Sequence, residues 1–170
     1  MTNRRLVLVN PVNPARVGLT VNRSSRFPPI GLGIVAALTP PSWDVHLIDE
    51  NWESFSYREA DLVGITAFTA SAGRAYEIAS LYREKGVPVI IGGIHASMCP
   101  DEALCFADAV VIGEAEAVWP QVMSDVEAGR FQKIYRGSWS DLSGMITSLG
   151  TERIHVSRHW RFSKGWWSVS

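Results

Sequence analysis

The regular alternation of short apolar runs with segments of helical period constrains this chain more than any other feature. Residues 6–9, 45–48, 62–65, 87–91 and 109–112 are apolar runs bounded mostly by Gly, Pro, Asn or Asp, as strands buried on both faces are. Between them, 30–38 and 72–85 have helical spacing. In the second, Ala75, Ile78, Ala79 and Tyr82 form one stripe, with Ser71 placed as N-cap and Gly86 just past the end. After the fifth run, Val118, Val122 and Val126 recur every four residues up to Gly129; Pro120 fits such a helix only near its first turn. Alternation of this kind specifies an α/β fold, a doubly wound, five-stranded parallel sheet with helices on both faces.

The 170 residues suffice for one good core and are short for two. A net charge of −1 gives no electrostatic reason to bind nucleic acid or an anionic membrane. Apolar runs all fall short of the roughly 18 residues of a membrane span, so the chain is read as cytoplasmic. Cys99 and Cys105 match neither a disulfide framework nor a CxxC metal site, so small buried thiols and no metal ligands are expected. The stretch LGTERIHVSRHWRFSKGWWSVS holds three of the seven tryptophans, carries a charge of +3 and lacks a clear period. Residues 1–137 are therefore expected to form the domain, and 138–170 an atypical tail outside the core, truncated or foreign to the fold.

In a doubly wound sheet, ligands bind outside the carboxyl ends of the strands. Four loops meet there: Asn10-Pro11-Val12-Asn13-Pro14, Thr66-Ala67-Phe68-Thr69-Ala70-Ser71, Gly92-Gly93-Ile94-His95-Ala96-Ser97 and Gly113-Glu114-Ala115-Glu116. Their small residues suit a sizeable, largely neutral ligand held by backbone amides, hydroxyls and helix N-termini. Neither a Ser-His-Asp set nor a GxxxxGK[ST] loop accompanies them, so side-chain catalysis has little support. Two further patterns lie out of place. Gly31-Leu32-Gly33-Ile34-Val35-Ala36 fits the dinucleotide fingerprint GxGxxA, with Asp49 eighteen residues beyond the first glycine, yet about twenty residues separate it from the end of the first strand. A helix start with its glycines against the sheet is the preferred reading. Asp44-Val45-His46 opens like DxHxxG, but Asp49 stands where the Gly belongs and His46 falls inside a strand.

Taken in order, PPIGLGIVAAL, DLVGITAF, GGIHASMCPDEAL and GEAEAVWPQ resemble the amino-terminal cobalamin-binding domain of cobalamin-dependent radical SAM enzymes, the group that includes anaerobic magnesium-protoporphyrin IX monomethyl ester cyclase. The resemblance covers about residues 4–137. It implies a flavodoxin-like (Rossmann-like) sheet with the corrinoid over its carboxyl ends and the nucleotide tail in the crevice. It further implies that Asn10 and Pro11 border the site, that Thr66, Phe68 and Thr69 line one wall of the tail pocket, and that Gly92, Gly93, His95 and Ser97 line the other. Gly113, Glu114 and Glu116 would close the far end. Without DxHxxG, cobalamin would bind base-off and without a protein His on cobalt. Members of the family continue into a barrel whose CxxxCxxC holds a [4Fe–4S] cluster that cleaves S-adenosylmethionine. This chain lacks that motif, so neither group is expected on it and the chain alone is not expected to be catalytic. Two rivals stay open: an NAD(P)-binding oxidoreductase domain using residues 31–36, and a receiver-like signalling domain. The receiver needs acidic residues at the ends of strands one and three, where Asn10 and Thr66 stand.

Overall fold

The computed structural model describes residues 3–13 and 29–138, together with the backbone of 154–156, 160–163 and 166–169. In chain order the elements are β1 (Arg4–Asn10), α1 (Ile30–Leu38), β2 (Trp43–Asp49), β3 (Leu62–Thr66), α2 (Ala72–Arg83), β4 (Val89–Gly92), α3 (Ile94–Met98), α4 (Pro100–Phe106), β5 (Ala109–Ile112), α5 (Ala115–Glu127) and β6 (Ile134–Arg136), followed by the short strands β7 (Ile154–Val156), β8 (Trp160–Ser163) and β9 (Trp166–Val169).

The five expected strands pair in parallel, as a doubly wound sheet requires, and two more extend it to the order β6-β5-β4-β3-β1-β2-β7. The chain leaves β1 for β2 on one side and returns to β3 on the other. The switch point therefore lies between β1 and β3. The region from 138 onward was expected to add no strand, and β7 corrects this: its backbone pairs with β2, giving partners to groups that an edge strand would leave open. β8 and β9 pair antiparallel in a separate two-stranded sheet.

Strand alternation sorts the core into two layers. Val7, Val9, Val63, Ile65, Val89 and Ile91 face α2, α3 and α4, where Ala75, Ile78, Ala79 and Tyr82 supply the expected stripe. Leu6, Leu8, Val45, Leu47, Ile90 and Val111 face α1 and α5 and pack with Val35, Val118, Trp119 and Val122. Burying a Leu, Ile or Val side chain contributes about 1.5–3 kcal/mol, which makes these layers the main support of the sheet.

Several local expectations change. Pro120 is the sixth residue of α5, beyond the first turn, so the Glu116 carbonyl lacks the donor that residue 120 would normally provide. Ser71 stands at the N-cap of α2, but its hydroxyl bonds back to the Phe68 carbonyl (3.3 Å) in a 3-10 turn over Thr69–Ser71. Gly86 follows α2 with φ +75°, as a helix stop should. The thiols are less buried than expected: Cys99, at the junction of α3 and α4, is half-buried and Cys105 exposed. Among the described residues no helix is long and apolar enough to cross a membrane.

Candidate functional site

A cavity of about 720 Å³ opens at the carboxyl ends of the strands, beside the switch point and on the face covered by α1 and α5. That is within the roughly 300–1,000 Å³ of small-molecule sites. Its mouth is formed by Asn10, Pro11, Thr66, Phe68, Gly93 and Glu114, and its depth by Leu8, Gly64, Ile90, Val111 and Trp119. Among the described residues no Lys, Arg or His lines it. Electrostatically it suits a ligand of little net charge, with the N-termini of α1 and α5 at the rim as sources of N–H donors.

Gly64 explains how the space arises. It is flanked by Val63 and Ile65, which point to the α2 layer, so its missing side chain would project between Leu8 and Trp119. A Cβ there would lie 2.8 Å from Leu8 Cδ2 and 4.0 Å from Trp119 Cη2. Trp119 is fixed in turn by its Nε1–H, which donates to Thr39 Oγ1 at 3.0 Å and ties α5 to α1.

The loops at the mouth are laced together by backbone hydrogen bonds. Ala67 N–H donates to the Gly92 carbonyl (2.9 Å), and His95 N–H donates to the Ala67 carbonyl (3.0 Å). Gly93, between them, has φ +91° and ψ −179°, a conformation largely reserved for glycine. Its neighbour Gly92 has ordinary room, the nearest atom to an added Cβ being Val111 Cβ at 3.7 Å. Of this pair, then, only Gly93 is required by the backbone. Gly113, at φ +79°, is similarly hemmed in by the Gly137 carbonyl.

Of the site residues expected from sequence, Asn10, Pro11, Thr66, Phe68, Gly92, Gly93, Gly113, Glu114 and Glu116 line the cavity. Thr69, His95 and Ser97 do not; they stand behind its wall. The His95 ring turns into the α2 layer, with Nε2 3.0 Å from the Tyr76 hydroxyl and Nδ1 3.3 Å from Thr69 Oγ1. Tyr76 O–H donates to Glu102 Oε1 at 3.0 Å, and burial followed by that carboxylate raises the phenol well above its usual range. Ser97 Oγ donates to the Gly93 carbonyl and accepts from Gly113 N–H, both at 3.0 Å, so one hydroxyl spaces the loops after β4 and β5. Ser97→Ala is expected to lower the melting temperature by about 4–8 °C, the effect of two lost hydrogen bonds of about 1 kcal/mol each. An unchanged melting temperature would mean that water replaces both contacts.

Asn10 is buried and donates from Nδ2 to Asp49 Oδ1 at 2.9 Å. The same oxygen accepts from Asn51 N (3.0 Å) and Nδ2 (2.8 Å). Asp49, the residue a dinucleotide site would need on its ribose, is 0% exposed and is committed to these loops. Gly31 lines the cavity and Gly33 is buried, so the glycines of residues 31–36 start a helix against the site without the strand-to-helix turn that a pyrophosphate needs. His46 lies in β2, away from the cavity. Val12 N–H donates to Glu50 Oε2 at 3.0 Å, and a partly buried Arg74–Glu50 pair at 2.8 Å holds that carboxylate in place.

Sequence reasoning missed the apolar depth of the cavity, namely Leu8, Gly64, Ile90, Val111 and Trp119. The available signal was Gly64, a glycine inside an otherwise apolar strand.

A family model described as B12 binding domain matches residues 16–123, more than half of the chain. The chain is 41% identical over 127 residues to a bacteriochlorophyllide d C-8(2)-methyltransferase of Chlorobaculum tepidum, an overlap of 74% of this chain and 28% of that protein. It is 30% identical over 140 residues to the bacteriochlorophyllide d C-12(1)-methyltransferase of the same organism, covering 81% of this chain and 30% of that protein. A hopanoid C-2 methylase of Rhodopseudomonas palustris is 28% identical over 110 residues, 59% of this chain and 21% of that protein. The chain thus spans less than a third of the length of these relatives.

Proposed function

The chain belongs to the B12-binding domain family, and on that premise we propose that it is the cobalamin-holding module of a methyl-transferring enzyme, binding the cofactor base-off and with no protein imidazole on cobalt. Cobalamin is the cofactor of the family. The observation that carries the finer reading is the cavity itself: it opens at the switch point, is lined without Lys, Arg or His among the described residues, and owes its depth to a glycine whose side chain would fill it.

The residues fit such a ligand. The cavity is sized for the nucleotide tail and not for a whole corrin, which would stay outside over the strand ends. Thr66, Asn10 and the N–H groups at the starts of α1 and α5 offer donors to ribose and phosphate oxygens. Buried Glu116 offers acceptors to hydroxyl or amide donors, and Phe68, 59% exposed at the mouth, offers an apolar face. Thr69, His95 and Ser97 act indirectly, by holding the loops that carry these groups. Cobalamin supplies an exchangeable methyl group on cobalt; the chain supplies position and shelter from water.

The methyltransferase names of the relatives, and the length they have beyond this chain, support a partner domain that carries the rest of the chemistry. In line with the sequence resemblance, that partner would be a radical SAM barrel, with its cluster and S-adenosylmethionine, and the substrate a tetrapyrrole or another large hydrophobic acceptor.

The test is direct. After incubation with hydroxocobalamin and desalting, the protein is expected to retain the corrinoid absorption spectrum, whereas the same treatment with NAD leaves none of the nucleotide. A folded protein that emerges colourless, or that keeps NAD instead, sinks the reading. Bound cob(II)alamin is expected to give an electron paramagnetic resonance spectrum without nitrogen superhyperfine splitting. Splitting that disappears in His95→Ala would make His95 a ligand; splitting that survives it would show a retained benzimidazole or another imidazole.

A further inference from the structure

On the opposite side of the sheet from the cavity, His95, Cys99 and Glu102 bring one nitrogen, one sulfur and one carboxylate oxygen within 4.8 Å of one another. We propose that they form a binding site for a single divalent transition-metal ion of zinc's class, separate from the cavity.

The backbone explains why they meet. Hydrogen bonds of helical spacing run through the junction of α3 and α4: Cys99 N–H donates to the His95 carbonyl (2.8 Å), and Ala103 N–H to the Cys99 carbonyl (3.1 Å). Residues four and then three apart therefore share one face, although neither short helix contains all three. A CxxC pattern search passes over this spacing.

The distances suit a metal. Zinc bonds of about 2.0–2.3 Å in tetrahedral geometry put ligand atoms roughly 3.3–3.8 Å apart. His95 Nε2 and Glu102 Oε1 are already 3.5 Å apart. The donor set of imidazole, thiolate and carboxylate fits a borderline-soft ion such as Zn²⁺ better than Mg²⁺ or Ca²⁺, which take oxygen ligands. Without metal, His95 Nε2 lies 3.0 Å from the Tyr76 hydroxyl, whose proton goes to Glu102, so Nε2 carries the N–H; binding the ion moves that proton to Nδ1, where Thr69 Oγ1 at 3.3 Å can accept it, and replaces the contact with Tyr76. Tyr76 O–H already donates to Glu102 and can keep doing so. Exposure rises from buried His95 through half-buried Cys99 to exposed Glu102, which leaves a path for the ion and room for a water as fourth ligand. On binding, Cys99 loses its S–H proton to solvent while His95 enters neutral and Glu102 as carboxylate, so the occupied site carries no net charge.

The two cysteines make the test internally controlled. The full chain, stripped with chelator and given one equivalent of zinc chloride, is expected to keep about one zinc per chain through desalting. Zinc should slow alkylation of Cys99 by iodoacetamide about tenfold or more while leaving exposed Cys105 unchanged, as read by peptide mass spectrometry. Cys99→Ser should lose the zinc, and Glu102→Gln should lose both the zinc and the protection. Because Glu102 is exposed and Cys99 only partly buried, these variants keep the test usable even if a His95 variant fails to fold. Equal alkylation rates with and without zinc overturn the proposal. So does zinc retained equally by Cys99→Ser, which would move the metal to other groups such as His155 and His159.

Discussion

Gly93→Ala is expected to lower the melting temperature of the protein by about 10 °C. Two effects combine. The backbone at φ +91°, ψ −179° lies in a region that costs a residue with a side chain about 1–3 kcal/mol. The new Cβ would also stand 2.9 Å from the Ala67 carbonyl oxygen, 3.0 Å from Ala67 N and 2.8 Å from Thr66 Oγ1. Two of these atoms are backbone and cannot rotate away, so relief requires the loop after β3 to move and its bonds to Gly92 and His95 to lengthen. Overpacking of this kind adds about 1–3 kcal/mol. At about 2–4 °C per kcal/mol for a chain of this size, the sum gives the expected shift. The contacts place the loss on the fold before any effect on a ligand. Thermal unfolding followed by circular dichroism decides it, and a melting temperature within about 2 °C of wild type would refute the strain argument. Gly92→Ala, which meets only Val111, is the control that should behave nearly as wild type.

Gly64→Leu is expected to have the opposite signature, with cobalamin affinity reduced about a hundredfold and the fold retained. A leucine projects into the space between Leu8 and Trp119 that the ligand's tail would enter. Expelling or distorting either neighbour to readmit the ligand costs about 1–3 kcal/mol, and a hundredfold corresponds to about 2.7 kcal/mol. The protein without ligand tolerates the change because the atom nearest the new Cβ is a terminal methyl of Leu8, which can turn, and because glycine is a poor strand residue to begin with. Equilibrium titration with hydroxocobalamin, paired with a melting curve, separates the outcomes. Wild-type affinity in a folded Gly64→Leu protein would mean that the ligand does not use the deep part of the cavity.

Much of this arrangement was legible in the residues, and the exceptions have physical causes. The strands from β1 to β5 announced themselves because burial on both faces demands unbroken apolar runs. Residues 87 and 88 fell outside β4, where Pro88 has no N–H to give the ladder. β6 stayed hidden because only Tyr135 of its three residues is buried, too few for periodicity to register. The loops of the site could be listed because topology alone sends them to one end of the sheet. Which way a side chain turns there is a different matter. His95 and Ser97 are two residues apart on one short helix, yet one enters the α2 layer while the other reaches the loop after β5. Nothing in GGIHAS states that division, which depends on where Tyr76 and Gly113 stand in three dimensions.

The glycine in β3 also limits how this stretch of chain can change by insertion or loss. Neighbouring positions in a strand look to opposite faces, so a shift of one residue in the β3 register would send Val63 or Ile65 into the space that Gly64 leaves open and turn the glycine toward α2. Substitutions at most positions of the strand trade one apolar group for another and leave the opening in place. A frame slip of one residue would instead close the cavity and hollow the opposite layer at once. The open space is therefore a property of parity as much as of composition, and lineages carrying this domain should accept length changes in the loops flanking β3 while refusing odd ones within it.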